Sequence, residues 1–480
     1  MKTRQRPRGL VPDTFERRPV RPAFLTAFDS SSTDPATSGP TEQPRGRHGR
    51  RRSGLSALAI VGVFAFVATV VYGEARGRDT LGGLVAFTVV ALLTAPLAAR
   101  SRSLSPSYDY GSLMYLSLGL HGVAAYLRMI SGADSRVYAA VGSDLADSFR
   151  RLDFVVDVGR QLVGTGFIRY LSGLVQVVTA EDVFATFVVF SWFAFLGSWF
   201  FFRAFTTALP AGHLPSYARF VFLWPSLVYW PSSIGKESWM LLSLGVATFG
   251  LARALAHRRW GLTILASGLA GAAMVRPHVA ALAASAAGVA YVLRGPITQA
   301  RPRLFGRVAG SLVLVAAGVA TSYAAARFLG ADDFSPSGVK ELLEQTTEQT
   351  SQGGAAFRPV AVDTPVEYPW AVVTVVFRPF PTEAHNAEAM LSAFEGVALM
   401  VLVALALRRV SAAPSTLFGE PFALFACAYL AVFTYVFSAV GNFGILARQR
   451  TMLLPLLFVL LALEYARGTV RLSPTSSRRR

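Results

Sequence analysis

The amino-acid sequence predicts an all-α membrane protein, a polytopic transmembrane helix bundle of about twelve spans. Hydrophobic residues make up 53% of its 480 residues and charged residues only 15%, against about 25% charged in soluble chains. Apolar stretches approaching the roughly 20 residues that cross a bilayer recur along most of the chain. Arginine then gathers in alternate connections between them, as cytoplasmic loops require.

Residues 1–52 are rich in Pro, Ser, Thr and Arg, lack an apolar period, and hold twelve Lys/Arg against five Asp/Glu. They read as a disordered basic cytoplasmic tail, too long and polar for the charged region of a signal peptide. A membrane domain over 53–466 follows, with spans expected at 55–72, 81–99, 113–130, 183–202, 217–230 and 239–255. The second half continues with 260–275, 279–293, 308–329, 389–407, 421–440 and 451–464. A further apolar stretch, 166–180, contains Arg169 and reads as a re-entrant or interfacial helix rather than a thirteenth span. With the N-terminus inside, every inner connection carries arginine, among them Arg100, Arg203, Arg258, Arg259, Arg301 and Arg408. Residues 467–480 form a second basic tail, so both termini are expected in the cytoplasm of a plasma-membrane protein.

The two tails supply +12 of the +18 net charge. That is a topology signal rather than a nucleic-acid surface, and no nucleic-acid partner is expected; membrane lipids are. The single cysteine, Cys427, excludes a disulfide framework or a cysteine metal site. No metal motif, dinucleotide glycine fingerprint or nucleophile elbow is present, and no cofactor is expected. No internal repeat points to an inverted-repeat transporter.

This topology leaves large outer segments at about 131–182 and 330–388, with short outer turns at 231–238, 276–278 and 441–450. The chain has 43 Arg but only three Lys and two Asn. Lys236, Lys340, Asn386 and Asn442 all fall on the outer side. The turn Gly235-Lys236-Glu237-Ser238 has Trp230 where a phosphate loop needs its first glycine, so it is not a P-loop. Glu237 reads as a headgroup-level partner of Lys236, while a compact lysine ammonium suits a phosphate oxygen. Arg276-Pro277-His278 sits at a membrane boundary, where Arg276 either meets substrate or snorkels to headgroups.

The stretch Arg378-Pro-Phe-Pro-Thr-Glu383-Ala-His385-Asn386 cannot be a plain span and reads as a substrate-facing loop. Glu388 then suits a helix N-terminus, as a possible cap. Glu395 lies deeper and calls for a partner such as an outer arginine. Arg448 and Arg450 violate the charge bias, and as an alternate-position pair they could clamp a diphosphate. Most charges between Val137 and Val163 fit the solvated face of an amphipathic helix. Asp134, directly after the third span, is the exception.

An outer-loop Asp soon after a span, here Asp134, resembles the GT-C-type glycosyltransferases, which use polyprenyl-phosphate-linked sugars. Twelve spans with a large outer loop between the ninth and tenth resemble O-antigen polymerases and ligases. So does His385-Asn386 followed by Glu395-Gly396. Both resemblances imply that an acceptor hydroxyl attacks a sugar as polyprenyl (di)phosphate departs. They imply Asp134 or His385 as base and Lys236, Arg276, His278, Arg378, Arg448 and Arg450 around phosphate. Glu383, Asn386, Glu395 and Asn442 would then support that site. The competing classes are a lipid-sugar flippase or other transporter, and an envelope scaffold. A transporter places polar groups near the midplane, where these spans are nearly uncharged. If the candidates serve one site, they should line one cavity.

Overall fold

A computed structural model describes residues 49–293 and 336–463, except 106, 352–354, 360, 361, 363 and 411–418. The expected span at 308–329, the 467–480 tail and nearly all of the 1–52 tail lie outside the described residues. Among the described residues the chain is all-α, with no strand beyond one bridge between Ala356 and Asn442.

The helices begin with α1 (Gly49–Ala75), α2 (Leu81–Arg102) and α3 (Tyr110–Ser131). Asp109 starts α3 by accepting a hydrogen bond from the Ser112 amide at 3.1 Å, satisfying an otherwise orphaned N–H. The amphipathic α4 (Ala133–Arg150) lies along α5 (Phe167–Val178). The helix expected from Val137 to Val163 therefore stops at Arg150, where Leu152 takes a left-handed φ of 61° and turns the chain. At 12 residues, α5 is too short to cross a bilayer.

Next come α6 (Val183–Ala208), α7 (Leu214–Leu223) and α8 (Pro225–Tyr229). The expected span 217–230 is thus broken, because Pro225 lacks an N–H and holds Trp224 in extended backbone. Then follow α9 (Lys236–Leu255), α10 (Gly261–Ala273), α11 (Pro277–Leu293), α12 (Pro336–Thr350) and α13 (Tyr368–Phe377). The last helices are α14 (Ala387–Val410), α15 (Pro421–Phe437), α16 (Phe443–Arg450) and α17 (Leu454–Leu461).

Among the described residues, five helices are long and apolar enough to cross a membrane: α2, α3, α6, α9 and α14. The count is six if α16 and α17, bent by 57°, form one span. This fits a helical membrane protein.

The core forms where α6 runs along α9 and α9 along α10, with α1 packed on α3 and α11 on α15. Gly197 and Gly245 let α6 and α9 meet backbone to backbone. A Cβ on Gly197 would fall 2.5 Å from the Leu241 carbonyl, and one on Gly245 2.5 Å from the Gly197 oxygen. Such small-residue contacts replace the hydrophobic drive that lipid cannot supply. Phe187, Phe190, Phe195 and Phe202 fill the interior from α6. Elsewhere Phe64, Val85, Leu92 and Phe394 stay exposed on α1, α2 and α14. In water these would be an apolar liability; in hydrocarbon they are the lipid face.

Candidate functional site

Several helix ends meet at one end of the bundle and enclose a polar cavity of about 340 Å³. The C-terminus of α3, the start of α4, the α8–α9 turn, the α10–α11 corner, the start of α14 and α16 each contribute to its wall. Its cations are Arg128, Lys236, Arg276 and Arg448, and its acids are Asp134, Glu237 and Glu388.

Each side chain is placed by a local backbone device. Gly235, fully extended at φ −178°, leads into α9, and no side chain caps that helix. The N-terminal end of α9, with the positive end of its dipole, therefore lies in the cavity wall beside Lys236. Among the described residues Lys236 makes no ion pair. Pro277 opens α11, where no N–H is needed, and the preceding Arg276 is held by its own amide bond to the Ala272 carbonyl at 2.8 Å. Arg276 is buried and pairs with Glu237 at 2.9 Å, so it does not snorkel. Glu237 correspondingly partners Arg276 rather than Lys236.

Asp134 receives Arg448 at 3.4 Å across the cavity mouth, a contact between two solvent-reached side chains. Arg448 also stacks over the Trp230 ring at 5.6 Å. Arg128, in the last turn of α3, is buried, lies over Tyr229 and Trp230 at 5.3 and 5.2 Å, and approaches Glu388 at 3.7 Å. Its Nε has no hydrogen-bond partner among the described residues. Burial, with the negative charges of Asp134 and Glu237 nearby, pushes the Tyr138 hydroxyl of α4 above the usual phenol range.

A second, smaller cavity of about 70 Å³ adjoins the first, with Trp230, Glu383, His385, Asn386, Glu388 and Phe443 in its wall. Glu388 lines both cavities. The loop that builds the second cavity is firmly held. Arg378 donates to both Glu383 oxygens from Nε at 3.1 Å and to Oε1 from Nη2 at 2.5 Å. Its guanidinium lies 4.6 Å from the Phe357 ring centroid and 5.1 Å from that of Phe443. Partial burial pulls Glu383 upward, but the Arg378 guanidinium and the Phe380 amide win and hold its carboxyl below the usual carboxylate range.

The eight candidate base and phosphate residues thus do not share one cavity. Asp134, Lys236, Arg276 and Arg448 line the charged cavity, and His385 lines the smaller one. Arg378 is spent on Glu383. His278 packs near Phe437, at 6.3 Å between rings, away from both cavity walls. Arg450 is buried and donates to the carbonyls of Val375, at 3.2 Å, and Arg378. It ties α16 to the end of α13 and lines neither cavity. Glu395 takes hydrogen bonds from Ser226, whose amide donates at 2.6 Å and whose hydroxyl also donates, and the expected outer arginine, Arg450, acts on it through charge rather than a hydrogen bond.

Asn386 caps α14 by accepting from the Ala389 amide at 2.8 Å, and Asn442 caps α16 by accepting from Gly444 at 3.0 Å. Glu388, expected as a possible cap, instead accepts a hydrogen bond from the Tyr229 hydroxyl at 2.6 Å. Arg128 falls inside the third expected span. As the one charged side chain in that apolar run, it carried the signal that marks functional intramembrane residues.

Compared with known protein families, curated proteins and solved structures, the chain matches none.

Proposed function

We propose that this chain is an integral membrane glycosyltransferase of about twelve spans. It acts on a polyprenyl-(di)phosphate-linked sugar at the extracytoplasmic face of the plasma membrane, in assembly of cell-envelope polysaccharide or glycoconjugate. One observation carries the reading. Four cations from four separate segments, Arg128, Lys236, Arg276 and Arg448, line one cavity together with carboxylates.

Arg276 is neutralised by Glu237. Lys236 is not paired among the described residues, and the α9 N-terminus beside it adds a partial positive charge. An ammonium held in a partly dry wall without a direct ion pair is costly, and an arriving anion offsets that cost. A departing phosphate is such an anion, and preorganised donors at its position lower the barrier as charge develops. Asp134 and Glu388 supply carboxylates in the same cavity for the acceptor's proton.

The test is the lipid and glycan profile of cells lacking the gene. Loss of a surface glycan with accumulation of a lipid-linked sugar is expected. Unchanged glycan and unchanged lipid-linked sugars would remove the proposal.

A further inference from the structure

We propose that the smaller cavity is the subsite for the acceptor sugar, and that Glu388, common to both cavities, is the base that takes the acceptor hydroxyl's proton. This rests on the glycosyl-transfer reading and adds an acceptor site and a catalytic residue to it.

The two cavities differ in chemistry. The charged one has four cations in its wall; among the described residues the smaller one has none, but has Glu383 and Glu388. A phosphate is repelled there, whereas a neutral polyhydroxylated group is not. Its wall combines the aromatic residues Trp230 and Phe443 with a few polar groups, Glu388, His385, Asn386 and Ser392. Mostly apolar walls with a few placed hydrogen-bonding groups are the usual form of a small-molecule subsite. About 70 Å³ accommodates roughly two waters, which hydroxyls on the edge of a sugar ring can displace. The loop is also preorganised. The Arg378–Glu383 fork, the two aromatic rings around Arg378 and the Arg450 clamp fix its backbone before any ligand arrives.

Glu388 stands at the junction. Asn386 performs the capping, so the Glu388 carboxylate is available for other work. The Tyr229 hydroxyl donates to it at 2.6 Å and Arg128 lies 3.7 Å away, which together fix the direction of the carboxylate. A carboxylate has about four acceptor positions, so capacity for a hydroxyl proton is left. Its side chain is 44% exposed and reachable from the cavity. Asp134 lines the charged cavity but not the smaller one.

In the step proposed, the acceptor oxygen bonds to the anomeric carbon as that carbon's bond to the phosphate oxygen breaks. The electron pair leaves with the polyprenyl (di)phosphate, held by Arg128 and Lys236. The hydroxyl proton passes to Glu388.

The test uses the full-length chain. A deletion strain carrying Glu388→Gln, which keeps the Tyr229 bond but is a poor base, is compared with Ala389→Trp, which fills the smaller cavity, and with Asp134→Asn. Product, lipid-linked precursor and protein accumulation are measured in each. Binding of farnesyl diphosphate to each purified protein in detergent reports the charged cavity separately. The Glu388→Gln and Ala389→Trp proteins are expected to bind the probe within a few-fold of the parent. Glu388→Gln should lower product by about 100-fold or more, the range for a general base, while precursor accumulates. Ala389→Trp should abolish product.

Product above a tenth of the parental level in Glu388→Gln, or full product in Ala389→Trp, overturns the inference. So does loss of probe binding in both. If Glu388→Gln does not accumulate, Ala389→Trp decides alone. Loss of product in Asp134→Asn but not in Glu388→Gln defeats only the present assignment. A deletion strain with unchanged glycans and lipid-linked sugars defeats the glycosyl-transfer reading itself.

Discussion

Arg448 and Arg450 look alike in sequence, yet the structure sets them in different surroundings, and replacing each by lysine separates the roles those surroundings imply. Arg450 is 2% exposed and its planar fork spans two carbonyls, those of Val375 and Arg378. A lysine ammonium can reach one carbonyl but not bridge both. A hydrogen bond from a charged donor contributes about 1.5–3 kcal/mol, and a buried carbonyl left unpaired adds its desolvation cost. Arg450→Lys should therefore destabilise the fold by about 2 kcal/mol or more, roughly a thirtyfold change in the folded-to-unfolded ratio.

Arg448 is 38% exposed and makes one long contact to Asp134. Arg448→Lys should change stability by no more than about 0.5 kcal/mol yet lose most of the product, because phosphate is gripped bidentately by a guanidinium fork and not by an ammonium. Thermal unfolding of the purified proteins in detergent, alongside product per molecule of folded protein, reads both effects. Arg450→Lys melting like the parent while product is lost would refute this division, since Arg450 would then face the ligand.

Three further outcomes follow from the same geometry. Arg276→Leu strands the buried Glu237 and should cost about 3–5 kcal/mol, whereas adding Glu237→Gln should restore most of it; a double variant no more stable than the single contradicts the pair. Glu383 has a folded pKa below its unfolded value of about 4.3. Its contribution to stability is complete above that unfolded value and lost as pH falls through the folded one. Protease sensitivity of the 378–386 loop should therefore rise at acid pH in the parent and be high at every pH in Glu383→Gln. Sensitivity independent of pH in the parent removes this role. In a Cys427-free background, a cysteine at position 350 should react with an impermeant reagent in intact cells, and reaction only after permeabilisation would invert the proposed topology.

Much of the charged cavity was legible in the sequence because its residues break patterns. Lys236 is one of three lysines, Arg448 falls on the expected outer side against the charge bias, and Asp134 directly follows an apolar run. Arg450 misled because alternate positions share a face on a strand but not on a helix, and 443–450 is helical, so the two arginines diverge. Arg128 was hidden by its apolar neighbours. In sequence Glu388 reads as a helix cap, because an acid near a helix start is explained by the dipole alone. In the fold, Asn386, two residues earlier, already does that work. The broken span 217–230 shows the limit of hydropathy, since Pro225 interrupts a run that composition alone treats as continuous.

The central claim, that the cavity holds the phosphate of a lipid-linked sugar, is tested most directly at Lys236. Lys236→Met keeps the length and the packing of the stem but removes the one cation there with no ion pair among the described residues. Lipid extracts and surface glycan are measured in a deletion strain expressing this variant at the parental level. The account predicts that lipid-linked sugar accumulates while glycan falls to the level of the deletion strain. Parental amounts of both would contradict it.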